Sequence, residues 1–254
     1  MSTATQRTTQ TRRERRLAER AARHDTRGHG RPARRIGLGT LSVLGIIGGL
    51  AAVVLAITLG ARPAPAIAET ASLTFARVPA ALATDGFALG RADAPVTIDL
   101  YEDFQCPACQ TWSEGVFPSL AANEVAAGTV RIVFHDMAFL GPESTDAGRA
   151  AFAAAEQGRF WDMWATIYAN QGRENSGAFT RDRLLAMADG LGFNVDQFEA
   201  DMASSAAQAS IAESRAAAAS AGVTSTPTLV IGGRSFVGVQ PYPEIAAAIA
   251  AAAQ

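Results

Sequence analysis

The chain has 254 residues, 48% of them apolar, only two cysteines, and a formal charge of −2 from 22 basic and 24 acidic side chains. That apolar share excludes a wholly disordered chain, and two cysteines exclude both a disulfide-stapled miniprotein and a four-cysteine zinc site. The charge is unevenly spread, with 11 Arg and three acids in residues 1–35 against 11 Arg and 21 acids in the rest. A basic head on an acidic body is not the footprint of a nucleic-acid protein, whose basic face lies on the folded domain.

Residues 1–35 are rich in Arg, Thr and Gln and poor in large apolar residues, which predicts a disordered basic tail. Ile36 to Ala61 then runs for 26 residues without a charge. A helix of that length exceeds a hydrocarbon core of about 30 Å, so it reads as one transmembrane helix with some tilt. The Arg excess before it places the N-terminus in the cytoplasm and residues 62–254 outside. Ala66-Ile67-Ala68 also has the small-x-small form of a cleavage site, which leaves a cleaved leader as the alternative, although leader apolar cores run only ~7–15 residues. Residues 62–84 read as a Pro/Ala linker and leading segment.

Pro95–Tyr101 alternates Val96, Ile98 and Leu100 with Thr97, Asp99 and Tyr101, the period of a strand. A helix follows from Pro107 to about Ala122, burying Trp112, Val116, Phe117 and Leu120, with Pro118 expected to kink it. Thr129–Phe134 is a second buried strand. A long helical stretch over Asp146–Gln171 carries Phe152, Phe160, Trp161, Trp164, Ile167 and Tyr168. Thr180–Asp189 forms a short helix ended by Gly190. Asn194 caps a further helix, with Gln197 at its third position. An Ala-rich helix reaches about Ser220. Thr228–Ile231 and Arg234–Gly238 form a hairpin around Gly232-Gly233, and Pro241–Ala253 a last helix. Strands alternating with helices predict an α/β fold with a helical insertion over about 142–221.

The chemistry concentrates at Cys106-Pro107-Ala108-Cys109, where a strand gives way to a helix. Cysteines three apart on a first helical turn have Cα atoms about 5–6 Å apart, within disulfide reach. Pro107 suits the first helical position. Cys106 at the helix N-terminus then meets unpaired amides and the positive end of the macrodipole, which lower its pKa. Cys109, one turn in, is more buried and less ionised. Such a pair attacks through Cys106 and resolves through Cys109. A structural disulfide gains little from so small a loop. A metal site would need further ligands, and the nearest His, His135, lies nearly thirty residues away. A second feature is Thr226-Pro227 at the start of a strand, a restricted setting for proline.

These segments resemble a known family. Leu89-Gly90-Arg91-Ala92-Asp93-Ala94-Pro95-Val96, Tyr101-Glu102-Asp103-Phe104-Gln105-Cys106-Pro107-Ala108-Cys109, Gln157-Gly158-Arg159-Phe160-Trp161 and Thr226-Pro227-Thr228 are similar to the DsbA-like branch of the thioredoxin superfamily, over roughly residues 85–250. The resemblance implies a thioredoxin fold with an inserted helical subdomain. It implies no cofactor beyond a redox-active Cys106–Cys109 disulfide, and no metal. It makes Cys106 the nucleophile, Cys109 the resolving cysteine, and Pro227 a cis-proline facing them, with the Thr226 backbone pairing with substrate strands. It implies disulfide formation in exported proteins and re-oxidation by a membrane partner of the DsbB or vitamin-K-epoxide-reductase type. An acid beneath the site often assists proton transfer in this family, and Asp99, Glu102 and Asp103 are the candidates. Ala108 departs from the strongly oxidising members, which carry His there, so a reductase for cytochrome or metalloprotein maturation stays open, as does a metal-binding or chaperone-like module. His135 reads as structural, and Trp161 and Trp164 as core.

Overall fold

The computed structural model describes residues 73–82 and 84–254. The expected basic tail, transmembrane span and Pro/Ala linker lie outside the described residues, and among the described residues no helix is long and apolar enough to cross a membrane.

Six strands form one sheet: β1 (Thr84–Asp85), β2 (Ala88–Leu89), β3 (Val96–Glu102), β4 (Val130–Asp136), β5 (Thr228–Ile231) and β6 (Arg234–Val237), in the order β1-β2-β4-β3-β5-β6. β3 and β4 are parallel, and every other pairing is antiparallel. Residues of one parity on β3 and β4 share a face. Val96, Ile98 and Leu100 with Val130, Ile132 and Phe134 therefore form one apolar layer, all six at most 3% exposed. The first two strands have two residues each, too short for a period to show.

The connection from β3 to β4 holds α1 (Pro107–Gly115), α2 (Phe117–Leu120) and a π-helical turn over Ala121–Val125. The expected single helix is broken rather than bent, and the break falls at Val116, φ −103°. Pro118 has no N–H to continue the ladder and its ring crowds the carbonyl four residues back. Five helices lie between β4 and β5: α3 (Pro142–Glu156), α4 (Phe160–Ala169), α5 (Arg181–Leu191), α6 (Val195–Met202) and α7 (Ser205–Ser220); α8 (Tyr242–Ala252) closes the chain. The stretch expected as one helix over 146–171 is two, parted at Gln157–Arg159, where Arg159 N bonds back to Ala154 O. Asn194 does cap α6, its side chain accepting from Gln197 N. α5 passes through Gly190 and ends on Gly192, φ +80°, a left-handed stop that glycine takes without strain. Gly190 has another reason: the Phe75 ring occupies the space a Cβ would need.

Phe75 belongs to an extended strap on α4. Asn170 Nδ2 donates to Thr74 O while Thr74 N donates to Asn170 Oδ1. One turn earlier Thr166 Oγ1 donates to Ala76 O and accepts from Ala76 N. Two side chains at i and i+4 thus imitate a partner strand for alternate backbone groups. Inward from there, Trp161, Trp164 and Tyr168 join Phe104, Phe117, Phe134 and Phe160 in an aromatic core, with ring centroids 4.7–5.8 Å apart from Phe104–Tyr168 through Phe117–Trp164 to Phe117–Trp161.

Candidate active site

β3 and β4 end side by side, and β5 begins where they end, because Tyr101 pairs with both His135 and Thr228. The loop after β3 therefore meets the residues before β5. Asp103 shapes that loop. Its Oδ1 accepts from Gln105 N at 2.8 Å and from Ser144 Oγ at 2.7 Å, and its Oδ2 from Phe139 N at 2.7 Å and Leu140 N at 3.0 Å. Cys106 caps α1 with extended backbone, φ −73° and ψ 117°, and Pro107 fills the first helical position as expected.

The two cysteines are thiols here, Cys106 at 8% exposure and Cys109 fully buried. Cys106 is thus the more accessible of the pair, though less open than its expected role as an exposed thiolate suggested. Cys106 Sγ lies 3.5 Å from Thr226 O, and the Thr226–Pro227 bond is cis. Pro227 is buried, Pro107 is exposed and Ala108 is half-buried. The structure thus brings Cys106, Pro107, Ala108, Cys109, Thr226 and Pro227 together across 120 residues of sequence.

The electrostatics of the thiols are unequal. The hydrogen bond from the Cys109 thiol, aided by the Thr226 side chain and the amides of Cys109 and Ala108, outweighs burial and lowers the Cys106 pKa to about 6. Burial drives the Cys109 thiol well above its ordinary value, and its hydrogen bond to Cys106 and the charge of Glu102 push the same way.

The three candidate acids lie in different surroundings. Asp99 is on the other face of the sheet, its Oδ1 2.9 Å from His135 Nε2. His135 also stacks on Tyr101, with ring centroids 4.5 Å apart. Asp103 is consumed by the loop. Glu102 is fully buried. Trp164 Nε1 donates to its Oε2 at 2.9 Å and Tyr168 Oη at 3.2 Å. Burial raises its pKa to about 8, against those two hydrogen bonds, and the charges of Cys106 and Asp136 push it further up.

Sequence reasoning missed two groups. Trp164 was expected as core packing; it is core, yet its indole N–H serves the acid. The i, i+4 spacing of Trp164 and Tyr168 brings both polar tips to one spot. The second is a clasp between the end of α4 and the head of α1 with the loop before it. Gln171 Nε2 donates to Phe104 O at 2.7 Å and Cys106 O at 3.1 Å, while Gln110 Nε2 on α1 donates to Tyr168 O at 3.0 Å. No local pattern in the sequence marks either glutamine.

A family model described as thioredoxin matches residues 83–251. The probable disulfide bond formation protein D of Bacillus cereus is 31% identical over 150 residues, covering 57% of this chain and 69% of that protein. Among solved structures, oxidised BdbD from Bacillus subtilis superposes with a TM-score of 0.62 at 19% identity, covering 68% of this chain and 98% of that one. The thiol-disulfide exchange protein α-DsbA2 from Wolbachia pipientis superposes with a TM-score of 0.56 at 21% identity, covering 72% and 89%. With the helical insertion and the paired thiols already in view, these matches place the chain in the thioredoxin superfamily, in its DsbA-like branch of thiol:disulfide oxidoreductases.

Proposed function

We propose that the protein forms disulfides in exported proteins, outside the cytoplasmic membrane, through the Cys106–Cys109 couple. The observation that carries this reading is the inequality of the thiols: Cys106 favours its thiolate and Cys109 its thiol. A dithiol pair whose reduced form is stabilised in this way is an oxidant. The fold and the family support the chemistry; the direction is our inference.

In the forward reaction a substrate thiolate attacks Cys106 Sγ. The Cys106–Cys109 bond breaks, and Cys109 leaves with the electron pair and takes a proton, for which Glu102 is the buried donor. The substrate's second thiolate then attacks its own sulfur in the mixed disulfide, and Cys106 leaves as the stable thiolate. The substrate has lost two electrons and the enzyme has gained them. Thr226 presents its backbone to the substrate beside Cys106, and Pro227 closes the wall behind it. Phe139, Val237 and Val239 are exposed around this end of the sheet, at 45%, 55% and 39%, an apolar rim suited to unfolded chain.

Re-oxidation requires an electron acceptor. A membrane partner of the DsbB or vitamin-K-epoxide-reductase type fits a chain tethered by residues 36–61, with its N-terminus cytoplasmic. Membrane extraction and protease protection test that tether, and N-terminal sequencing of the mature protein reads whether cleavage follows Ala68.

The deciding measurement is the reduction potential of the couple in glutathione buffers. A value of about −120 to −180 mV is expected of an oxidase. A value near about −270 mV would reverse the direction and make the protein a reductase, the reading that Ala108 favours by placing no side-chain donor beside the thiolate. Cys106→Ser abolishes exchange, and Cys109→Ala accumulates mixed disulfides with substrates. Retention of full activity by Cys106→Ser would overturn the mechanism.

A further inference from the structure

Glu102 does not stand alone beneath the thiols. In the parallel ladder of β3 and β4 its direct partner is Asp136. Adjacent strands lie about 4.8 Å apart, and the pleat turns both side chains to the same face, below Leu100 and Phe134. Each carboxyl has one oxygen held and one unmet. Trp164 and Tyr168 bond Glu102 Oε2, and Ala138 N donates to Asp136 Oδ1 at 3.0 Å. Glu102 Oε1 and Asp136 Oδ2 are buried and have no hydrogen-bond partner among the described residues. An unmet buried oxygen costs about 1–3 kcal/mol, so two on neighbouring residues are costly for a merely structural pair.

The helix above is shaped to admit the second acid. Gly148 lies inside α3, where glycine costs about 1 kcal/mol relative to alanine. A Cβ at that position would collide with Asp136 Oδ2. The titratable groups facing Glu102 are Cys106 at the cap of α1, Cys109 on α1, Tyr168 on α4 and Asp136 on β4. Those facing Asp136 are Asp103 from the loop after β3 and Arg215 from α7. Two adjacent carboxyls in so enclosed a place do not both ionise readily. Their depths differ as well: Glu102 is at 0% exposure, while Asp136, 6% exposed as a whole residue with its Oδ2 buried, lies nearer the surface.

We propose that Glu102 and Asp136 form a proton-sharing carboxyl pair, in which Asp136 is the positioning residue that passes the proton between Glu102 and solvent as Cys109 is released or re-formed. This rests on the exchange chemistry above. When the Cys106–Cys109 bond breaks, Glu102 gives its proton to the Cys109 sulfur, Asp136 re-protonates Glu102, and water recharges Asp136. Re-oxidation runs the same proton outward, with the electron pair leaving to the acceptor named above.

The test is the pH profile of dithiothreitol oxidation by the full chain, for the wild type, Glu102→Gln, Asp136→Asn and the double variant. Asp136→Asn is expected to move the alkaline limb down by about one pH unit, since Glu102 loses a neighbouring negative charge. In the Glu102→Gln background the same substitution is expected to change nothing. A profile for Asp136→Asn that superposes on the wild type, while that of Glu102→Gln moves, overturns the pair and leaves the exchange reading intact. So does an equal effect of Asp136→Asn in both backgrounds. A wild type that fails to oxidise dithiothreitol overturns the exchange reading itself. Should Asp136→Asn not fold, Gly148→Ala crowds the same oxygen without altering a charge. It must move the limb if the pair is real, and an unmoved limb overturns it.

Discussion

The indole N–H of Trp164 donates a 2.9 Å hydrogen bond to the carboxyl of Glu102, which is fully buried and also accepts from Tyr168 Oη. Burial holds that acid near 8 in the folded chain, against an ordinary 4.5. Between those values the folded state keeps a proton that the unfolded state gives up. Folding stability therefore declines as pH rises through this window. Glu102→Gln removes the decline. Chemical denaturation from pH 5 to 8 is expected to show the variant gaining on the wild type by a few kcal/mol at the upper end. A constant difference across the series would mean that Glu102 does not hold a proton there.

The Cys106 thiol makes the opposite prediction. Cys106 is depressed to about 6 from an ordinary 9, so the reduced form gains stability as pH rises above 6 and loses it as pH falls through 6. Its alkylation by iodoacetamide is expected to follow a titration with a midpoint at about 6. Cys109 remains unmodified in the folded chain, being fully buried. Mass spectrometry of the quenched reaction separates the two sites. A midpoint near 9, or equal labelling, contradicts the asymmetry.

Gln110 on α1 bonds the last turn of α4, and Gln171, just past α4, bonds the loop that leads into α1. Gln171→Leu keeps the bulk and strips the donor from two carbonyls. A loss of about 1–3 kcal/mol is expected. Gln110→Ala should cost less in the Gln171→Leu background than alone, because both bonds hold the same junction between the end of α4 and the cysteine turn. Strict additivity in urea melts would show that the two glutamines act separately.

The strap over residues 73–78 offers a readout by proteolysis. The chain has no lysine, so trypsin reads Arg77 without competition from lysines. Thr166→Val with Asn170→Ala removes the side-chain partners of Thr74 and Ala76. Cleavage after Arg77 is expected to accelerate about tenfold, the equivalent of about 1.4 kcal/mol of local opening, with dithiol exchange unchanged. No change in cleavage would mean that Arg77 itself, through Asp162 and Leu191 O, holds the strap.

The sequence shows best where one interaction dominates. The period of β3, the Pro at the head of α1 and the Asn194 cap are all local, and each lies where it was expected. The cysteine motif was legible for the same reason, since the helix start that lowers the Cys106 pKa is built from adjacent residues. The break at Val116 was legible as a disturbance by Pro118 but not as a full stop. Separating the surroundings of Glu102 from those of Asp99 and Asp103 required the third dimension. All three share one strand and its loop, and only the sheet face separates an acid paired with His135 from one under Trp164. Gln171 and Asp136 lay outside local reasoning altogether, because their partners come from other elements.

The place of β3 in the sheet has a further consequence. It is bonded on both sides, to β4 and β5, and its end carries the cysteine loop and Glu102. Amides in such a strand exchange with deuterium only when the whole domain opens. The deuterium clock at Leu100 then times the opening of the entire fold. Run once on the thiol form and once on the disulfide form, that single amide weighs the two redox states against each other, and the slower clock identifies the form the protein prefers to become.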